Sequence, residues 1–150
     1  MILTSSLYES IKFVKKFLNE KTTSKKILFI PTATNVDGYK KYIHLTQKVF
    51  EDFGYEVENF DISAFPEEVA KEKLLEAEIV FISGGNTFYL LQELKKKNLI
   101  SYLKERIGKG LIYIGESAGS VITAPNIEYV SVMDLSLIHI SEPTRLGMIS

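Results

Sequence analysis

Short apolar runs alternate with amphipathic segments along the chain. Three runs rich in β-branched and aromatic residues occupy positions 27–30, 79–82 and 111–114, and residues 2–3 form a shorter apolar pair. None of the three runs alternates with polar residues, which is typical of strands buried on both faces of a parallel sheet. Residues 55–60 do alternate, so we expect a strand nearer the sheet edge there.

Segments with helical spacing connect these strands. Ser6 and Glu9 fit a capping box at the start of the first segment. The second segment covers residues 39–53 and stops before Gly54, a residue suited to a helix end. Pro66 can open the third. The apolar positions expected to face the core are Leu7, Ile11, Val14, Phe17 and Leu18, then Ile43, Thr46, Phe50 and Phe53, then Val69, Leu74 and Leu75, and finally Leu90, Leu91, Leu94, Ile100, Leu103 and Ile107.

The order of these elements predicts an α/β fold, a three-layer sandwich with a mostly parallel sheet. We expect one domain over residues 1–134. Residues 135–150 continue no strand–helix rhythm, and they resemble the peptide produced when sequencing-adaptor DNA is translated at the end of a truncated reading frame. On this interpretation the tail is not native, and the domain is incomplete at its C-terminus.

Composition narrows the function classes. The 150 residues carry 18 basic and 19 acidic side chains, a balance that gives no reason to expect a nucleic acid or an anionic membrane as partner. No run approaches the ~20 apolar residues of a membrane span. The N-terminus lacks the basic region of a signal peptide, so we expect a soluble, cytoplasmic protein.

The chain contains no cysteine and two histidines. A disulfide framework, a thiolate nucleophile and a cysteine-bound metal are therefore excluded, and a histidine-rich metal site is not expected. We predict a function without a metal or a cofactor.

The motif at residues 115–119 reads G-x-S-x-G and directly follows the apolar run at 111–114. On a strand-to-helix turn of this kind Ser117 would be exposed at the carboxyl edge of the sheet as a nucleophile. The N–H of Ala118, at the start of the next helix, could stabilise an oxyanion. The alternative is a glycine-rich turn in which the serine only caps a helix.

A second glycine-containing loop, residues 83–87, follows the apolar run at 79–82. Neighbouring parallel strands end at one crevice, so Gly85 could supply a second N–H to the oxyanion. Two alternatives remain: a tight turn with Asn86 or Thr87 capping the next helix, or a phosphate cradle. Neither a G-x-G-x-x-G nor a Walker pattern supports the phosphate interpretation.

A serine nucleophile needs a base, normally a histidine steered by an acid. His44 lies on the polar side of the segment at 39–53, which favours a surface position, and His139 lies in the tail. Asp134 and Glu128 are acids that follow the G-x-S-x-G motif, although either could be a surface charge.

Three colinear segments, residues 30–34, 81–91 and 113–120, resemble the peptidase E family. The resemblance covers about residues 1–134. It implies a serine hydrolase without a cofactor, folded like the class I glutamine amidotransferases. The family includes dipeptidase E and the cyanophycinases.

The resemblance also implies roles for particular residues. Ser117 matches the family nucleophile, Gly85 and Ala118 match the oxyanion donors, and Asp134 lies near the position of the triad acid. The family histidine lies well beyond Asp134, where this chain has no counterpart. We therefore expect the chain as written to be inactive.

The expected substrate is a short peptide, including peptides with an N-terminal aspartate as in dipeptidase E. Gly84, Asn86, Thr87 and Glu116 are the predicted substrate-binding residues, and Glu116 stands where dipeptidase E has a tryptophan. Two alternatives stay open: a non-catalytic module that binds a small anion, and a cyanophycinase-like hydrolase of an aspartyl polymer.

Overall fold

The computed structural model describes residues 1–4, 6–36 and 40–116. Within them, a single sheet of parallel strands has the order β1-β5-β4-β2-β3. The strands are β1 (Ile2–Thr4), β2 (Lys26–Ile30), β3 (Glu56–Asn59), β4 (Ile79–Ile82) and β5 (Ile112–Glu116). The buried runs form the central strands and the alternating segment forms edge strand β3, which confirms the predicted α/β fold.

Helices cover both faces of the sheet. Those on one face are α1 (Leu7–Lys21) and α2 (Lys40–Asp52), and those on the other are α3 (Glu67–Glu76), α4 (Thr87–Lys96) and α5 (Leu99–Gly108). Two short 3-10 helices, Thr32–Asn35 and Ile62–Ala64, follow β2 and β3. The three-layer arrangement follows from the central strands β2, β4 and β5, because they are largely buried and need helices on both sides.

Aromatic packing dominates the layer between the sheet and helices α1 and α2. The ring of Phe81 makes edge contacts with Phe29 at 5.4 Å and with Phe50 at 5.1 Å, measured between ring centroids. All three side chains are fully buried. Such edge-to-face pairs add stability beyond the buried area alone, so α2 is fixed firmly against β2 and β4.

One predicted core position is wrong. Leu75 is 56% exposed, whereas Ala70 and Leu74, four residues apart on α3, face the core. Residues four positions apart lie on the same face of a helix, so Ala70 and Leu74 share the buried face of α3. Leu75 is the next residue along the chain and therefore points away from that face. The predicted helix end at Gly54 is confirmed, with a backbone φ of +93°.

The carboxyl ends of β2, β4 and β5 meet at one edge of the sheet. There the 32–35 turn follows β2, the loop at 83–86 follows β4, and Glu116 ends β5. The register pairs Ile82 with Gly115 and Thr4 with Glu116, so the end of β5 lies between the ends of β4 and β1. In open α/β sheets this edge is where ligands bind.

Candidate active site

The loop between β4 and α4 is held at both ends by backbone hydrogen bonds. Ser83 N–H donates to the carbonyl of Ile30 at 3.2 Å, and Asn86 N–H donates to the carbonyl of Ala33 at 2.8 Å. The side-chain oxygen of Asn86 accepts from Tyr89 N–H at 2.9 Å and so caps α4. The loop is thereby attached to β2, to the 32–35 turn and to the start of its own helix.

The backbone at Gly85 requires a glycine. Its φ is +141°, and a Cβ built there would lie 2.3 Å from the carbonyl oxygen of Ala33 and 2.9 Å from Thr34 N. The residue is exposed, and its N–H has no hydrogen-bond acceptor among residues 1–4, 6–36 and 40–116. The loop therefore presents a fixed backbone donor at the carboxyl edge of the sheet.

Glu116, the last residue of β5, carries a buried carboxylate. The residue is only 3% exposed. One oxygen, Oε2, accepts from Leu7 N–H at 2.5 Å, and Oε1 accepts from Gly84 N–H at 3.3 Å. Burial raises the pKa of this carboxyl group, and the two hydrogen bonds oppose that shift. The side chain thus connects the start of α1 to the loop that carries Gly85.

The capping box predicted at the start of α1 is wrong, and the Ser6 N–H that Glu9 would accept from in such a box donates to Thr4 Oγ1 at 3.2 Å. Ser6 occupies the N-cap position, but its side chain makes no capping hydrogen bond. The Leu7 N–H, one of the unpaired donors of the first turn, is satisfied by Glu116 from 109 positions away in the chain. A carboxylate at a helix N-terminus is also favoured by the helix dipole.

A network around Asp61 supports the 32–35 turn. The carboxylate accepts hydrogen bonds from Thr32 Oγ1 at 3.0 Å and from Asn35 Nδ2 at 2.9 Å, and it also caps the 62–64 helix through Ser63 N–H. Burial by itself would raise the pKa of Asp61, but the hydrogen bonds from Asn35, Ser63 and Thr32 outweigh it and lower the pKa. Sequence reasoning missed Asp61, although the position just after an edge strand and before Ile62-Ser63 is a capping signal.

A cavity of about 460 Å³ opens beside Glu116, between the start of α1 and the length of α2. Its walls are mostly apolar, and its charged lining residues in the described part are Lys48, Asp52 and Glu116. The apolar lining consists of Leu7, Tyr8, Tyr42, Leu45 and Val49. Tyr8 is 79% exposed at the cavity mouth. The cavity is large enough for a small-molecule or peptide side chain.

The structure places the predicted site residues as follows. Gly84 and Glu116 are in direct contact, Gly85 lies beside the 32–35 turn, and Asn86 caps α4, while Thr87 is buried at the start of that helix. A substrate-binding role for Gly84, Asn86, Thr87 and Glu116 stays a prediction. Their contacts show that Gly84 N–H and both carboxylate oxygens of Glu116 already have protein partners.

The remaining predicted residues, namely Ser117, Ala118, Asp134 and His139, lie outside the described residues, as does Glu128. Ser117 directly follows Glu116 in the chain. His44 is exposed on α2, as its polar surroundings predicted. In the part of the chain that the structure describes, no cluster of three or more His, Asp or Glu side chains could hold a metal ion. No helix in that part is long and apolar enough to cross a membrane.

The chain is similar to several known peptidases. The model of peptidase family S51 matches residues 1–149. An uncharacterized peptidase of Listeria monocytogenes, Lmo0363, is 39% identical over 134 residues, which are 89% of this chain and 65% of that protein. Peptidase E of a Nostoc species is 35% identical over 81% of this chain and 48% of its own length. The chain thus spans 48–65% of the length of these two relatives.

The fold has a close counterpart among solved structures. A crystal structure of a Listeria monocytogenes protein assigned to peptidase E superposes with a TM-score of 0.80 and 35% sequence identity. The match covers 99% of this chain and 74% of the other. The shared fold and the family match lead to one conclusion: the chain belongs to peptidase family S51, a family of serine-type peptidases.

Proposed function

We propose that this chain is the larger part of a serine peptidase that hydrolyses short peptides, with Ser117 as its nucleophile. The observation that carries the proposal is the exposed Gly85 N–H, fixed at the carboxyl edge of the sheet by a loop that contacts Glu116. Because Glu116 immediately precedes Ser117, a serine activated there would have an oxyanion donor within the same crevice.

In the proposed reaction Ser117 Oγ attacks the peptide carbonyl carbon, and its proton passes to a histidine. The carbonyl oxygen becomes an oxyanion that accepts hydrogen bonds from the N–H groups of Gly85 and Ala118. The C–N bond then breaks, and the histidine returns the proton to the leaving amine. Water, deprotonated by the same histidine, hydrolyses the acyl-enzyme. Asp134 would orient the histidine.

The histidine is the missing part of this proposal. His44 is exposed on α2, and His139 lies in the segment from 135 to 150 that we propose to be non-native. We place the base in the further length that the relatives have beyond their match to this chain. The 150-residue chain alone is then expected to hydrolyse peptides no faster than the residual rate of an unassisted serine.

The contacts of the loop at 83–86 argue against the anion-binding alternative. A phosphate or sulfate cradled by this loop would need several free N–H groups, but the N–H groups of Ser83, Gly84 and Asn86 already have acceptors. That leaves Gly85 as the free donor described in the loop, which suits one oxygen atom better than a tetrahedral anion.

Short peptides of the cytoplasm, with or without an N-terminal aspartate, are the substrates we propose.

The test is peptide hydrolysis by the full-length protein and by its Ser117→Ala variant. We expect turnover to fall by more than about a thousandfold, because loss of a triad nucleophile costs several orders of magnitude. The matched control is Ser101→Ala, which removes an exposed hydroxyl on α5 and should leave turnover unchanged. Retained turnover in Ser117→Ala would exclude Ser117 as the nucleophile.

A further inference from the structure

We infer that Glu116 is a positioning residue, whose carboxylate holds the loop at 83–86 and the start of α1 in fixed places at the end of β5. The inference rests on the proposed function, since it concerns the same site. It assigns to this side chain a role in aligning the backbone, in place of direct contact with the substrate.

The register of the sheet explains why one side chain can do this. β5 lies between β1 and β4, and Glu116 pairs with Thr4 at the end of β1. Leu7 follows that end by three residues, and Gly84 follows Ile82, the end of β4, by two. A carboxylate has two acceptor oxygens, so Glu116 can accept from both N–H groups at once, at 2.5 and 3.3 Å.

The contact with Gly84 bears directly on the oxyanion donor. Gly84 and Gly85 are consecutive, so the plane of the peptide bond between them carries the Gly85 N–H. The preceding peptide plane is held because the Gly84 N–H donates to Glu116, and the following plane is held because the Asn86 N–H donates to the carbonyl of Ala33. The direction of the Gly85 N–H is therefore fixed from both sides, one of which is the residue adjoining Ser117.

The side chain satisfies two backbone donors as well as fixing their positions. Burying a carboxylate is costly unless it is fully hydrogen-bonded, and an apolar side chain in this place would avoid that cost. An apolar replacement would, however, leave the N–H groups of Leu7 and Gly84 without this acceptor. The carboxylate therefore contributes a defined geometry at the crevice.

Glu116→Gln is the informative variant because it preserves shape. A carboxamide has one acceptor oxygen and one NH2 group, so it can accept from Leu7 or from Gly84 but repels the other N–H. We expect kcat to fall by about tenfold to a thousandfold, since losing one oxyanion donor outright costs about a hundredfold to a thousandfold and a misaligned donor costs less, and KM to change by less than about threefold. Glu93→Gln is the matched control, since Glu93 is also buried, at 6% exposed, and its carboxylate pairs with Lys96 on α4.

The experiment measures kcat and KM on short peptides for the full-length protein, Glu116→Gln, Glu93→Gln and Ser117→Ala. The inference predicts that kcat falls in Glu116→Gln and stays unchanged in Glu93→Gln. If Glu116→Gln keeps its kcat, or changes only KM, Glu116 is not a positioning residue, while the proposed function stands. If Ser117→Ala remains active, both the function and this inference fail.

A second variant covers the case in which Glu116→Gln does not fold. Glu116→Asp keeps the carboxylate but shortens the side chain by one methylene, so it cannot accept from both the Leu7 and the Gly84 N–H groups as well as the parent side chain does. We expect an intermediate kcat, together with a changed amide proton shift for Gly84 in a two-dimensional NMR spectrum of the folded protein. A Gly84 amide shift and a kcat both equal to those of the parent protein would overturn the inference.

Discussion

Replacing Gly85 by alanine tests the close approach on which the proposed oxyanion loop depends. The added Cβ would lie 2.3 Å from the carbonyl oxygen of Ala33 and 2.5 Å from its carbon, and both are backbone atoms that cannot rotate away. The φ of +141° is also unfavourable for any L side chain. Two costs therefore apply to this substitution.

The magnitude follows from these two costs. A residue held in a sparsely populated backbone region costs about 1–3 kcal/mol, and overpacking a well-packed site typically costs about 1–3 kcal/mol more. The sum, about 2–6 kcal/mol, is a large share of the ~5–15 kcal/mol that stabilises a typical domain. At ~2–4 °C per kcal/mol for a chain of this size, Gly85→Ala should lower Tm by roughly 5–20 °C.

Gly54→Ala separates the two costs. Gly54 also has a positive φ, at +93°, but a Cβ there meets no atom within 4 Å. Gly54→Ala should therefore incur only the cost of the unfavourable backbone conformation. Both alanine variants also lower the conformational entropy of the unfolded chain, so this effect cancels in the comparison. Thermal unfolding followed by circular dichroism should show Gly85→Ala to be the less stable of the two by about 1–3 kcal/mol. Equal Tm values for the two variants would refute the contact with Ala33.

Three further predictions concern stability. Asn86→Ala removes the cap of α4 and should cost about 1 kcal/mol, measured as a lower urea midpoint with an unchanged slope. Leu74→Ala should lower the free energy of unfolding by about 2–5 kcal/mol because this side chain is buried. Leu75→Ala, at the exposed neighbouring position, should change it by less than about 0.5 kcal/mol. Asp61, whose pKa is lowered, adds stability that is present above its unfolded pKa of about 3.9 and is lost as the pH falls through the lower folded value. Stability measured from pH 6 to 2 should therefore fall less steeply in Asp61→Asn than in the parent protein.

Local patterns were sufficient to predict the fold. The runs at 27–30 and 79–82 are apolar without alternation, and such strands are stable only between two layers of helices. Residues 55–60 alternate between apolar and polar, and they contribute the edge strand β3, which pairs only with β2 and is mostly exposed. The periodicity of apolar residues thus indicates which faces of a strand are buried, and the buried faces determine where the helix layers pack.

The contacts that shape the candidate site could not be predicted in this way. The capping box at Ser6 and Glu9 satisfied every local rule but does not form, whereas the Leu7 N–H donates to Glu116 because β5 lies next to β1 in the sheet. The approach of Gly85 to Ala33 likewise depends on β4 lying beside β2. Both contacts arise from strand order, which the periodicity of a single sequence does not contain.

The identity of the nucleophile is the central claim, and a fluorophosphonate tests it most directly. This reagent reacts with an activated serine but not with a serine that only caps a helix. The measurement is the site of the adduct in the full-length protein, located by tandem mass spectrometry after digestion. The account predicts a single adduct on Ser117, absent from Ser117→Ala. An adduct on another serine, or peptide hydrolysis by a protein that the reagent does not label, would contradict it.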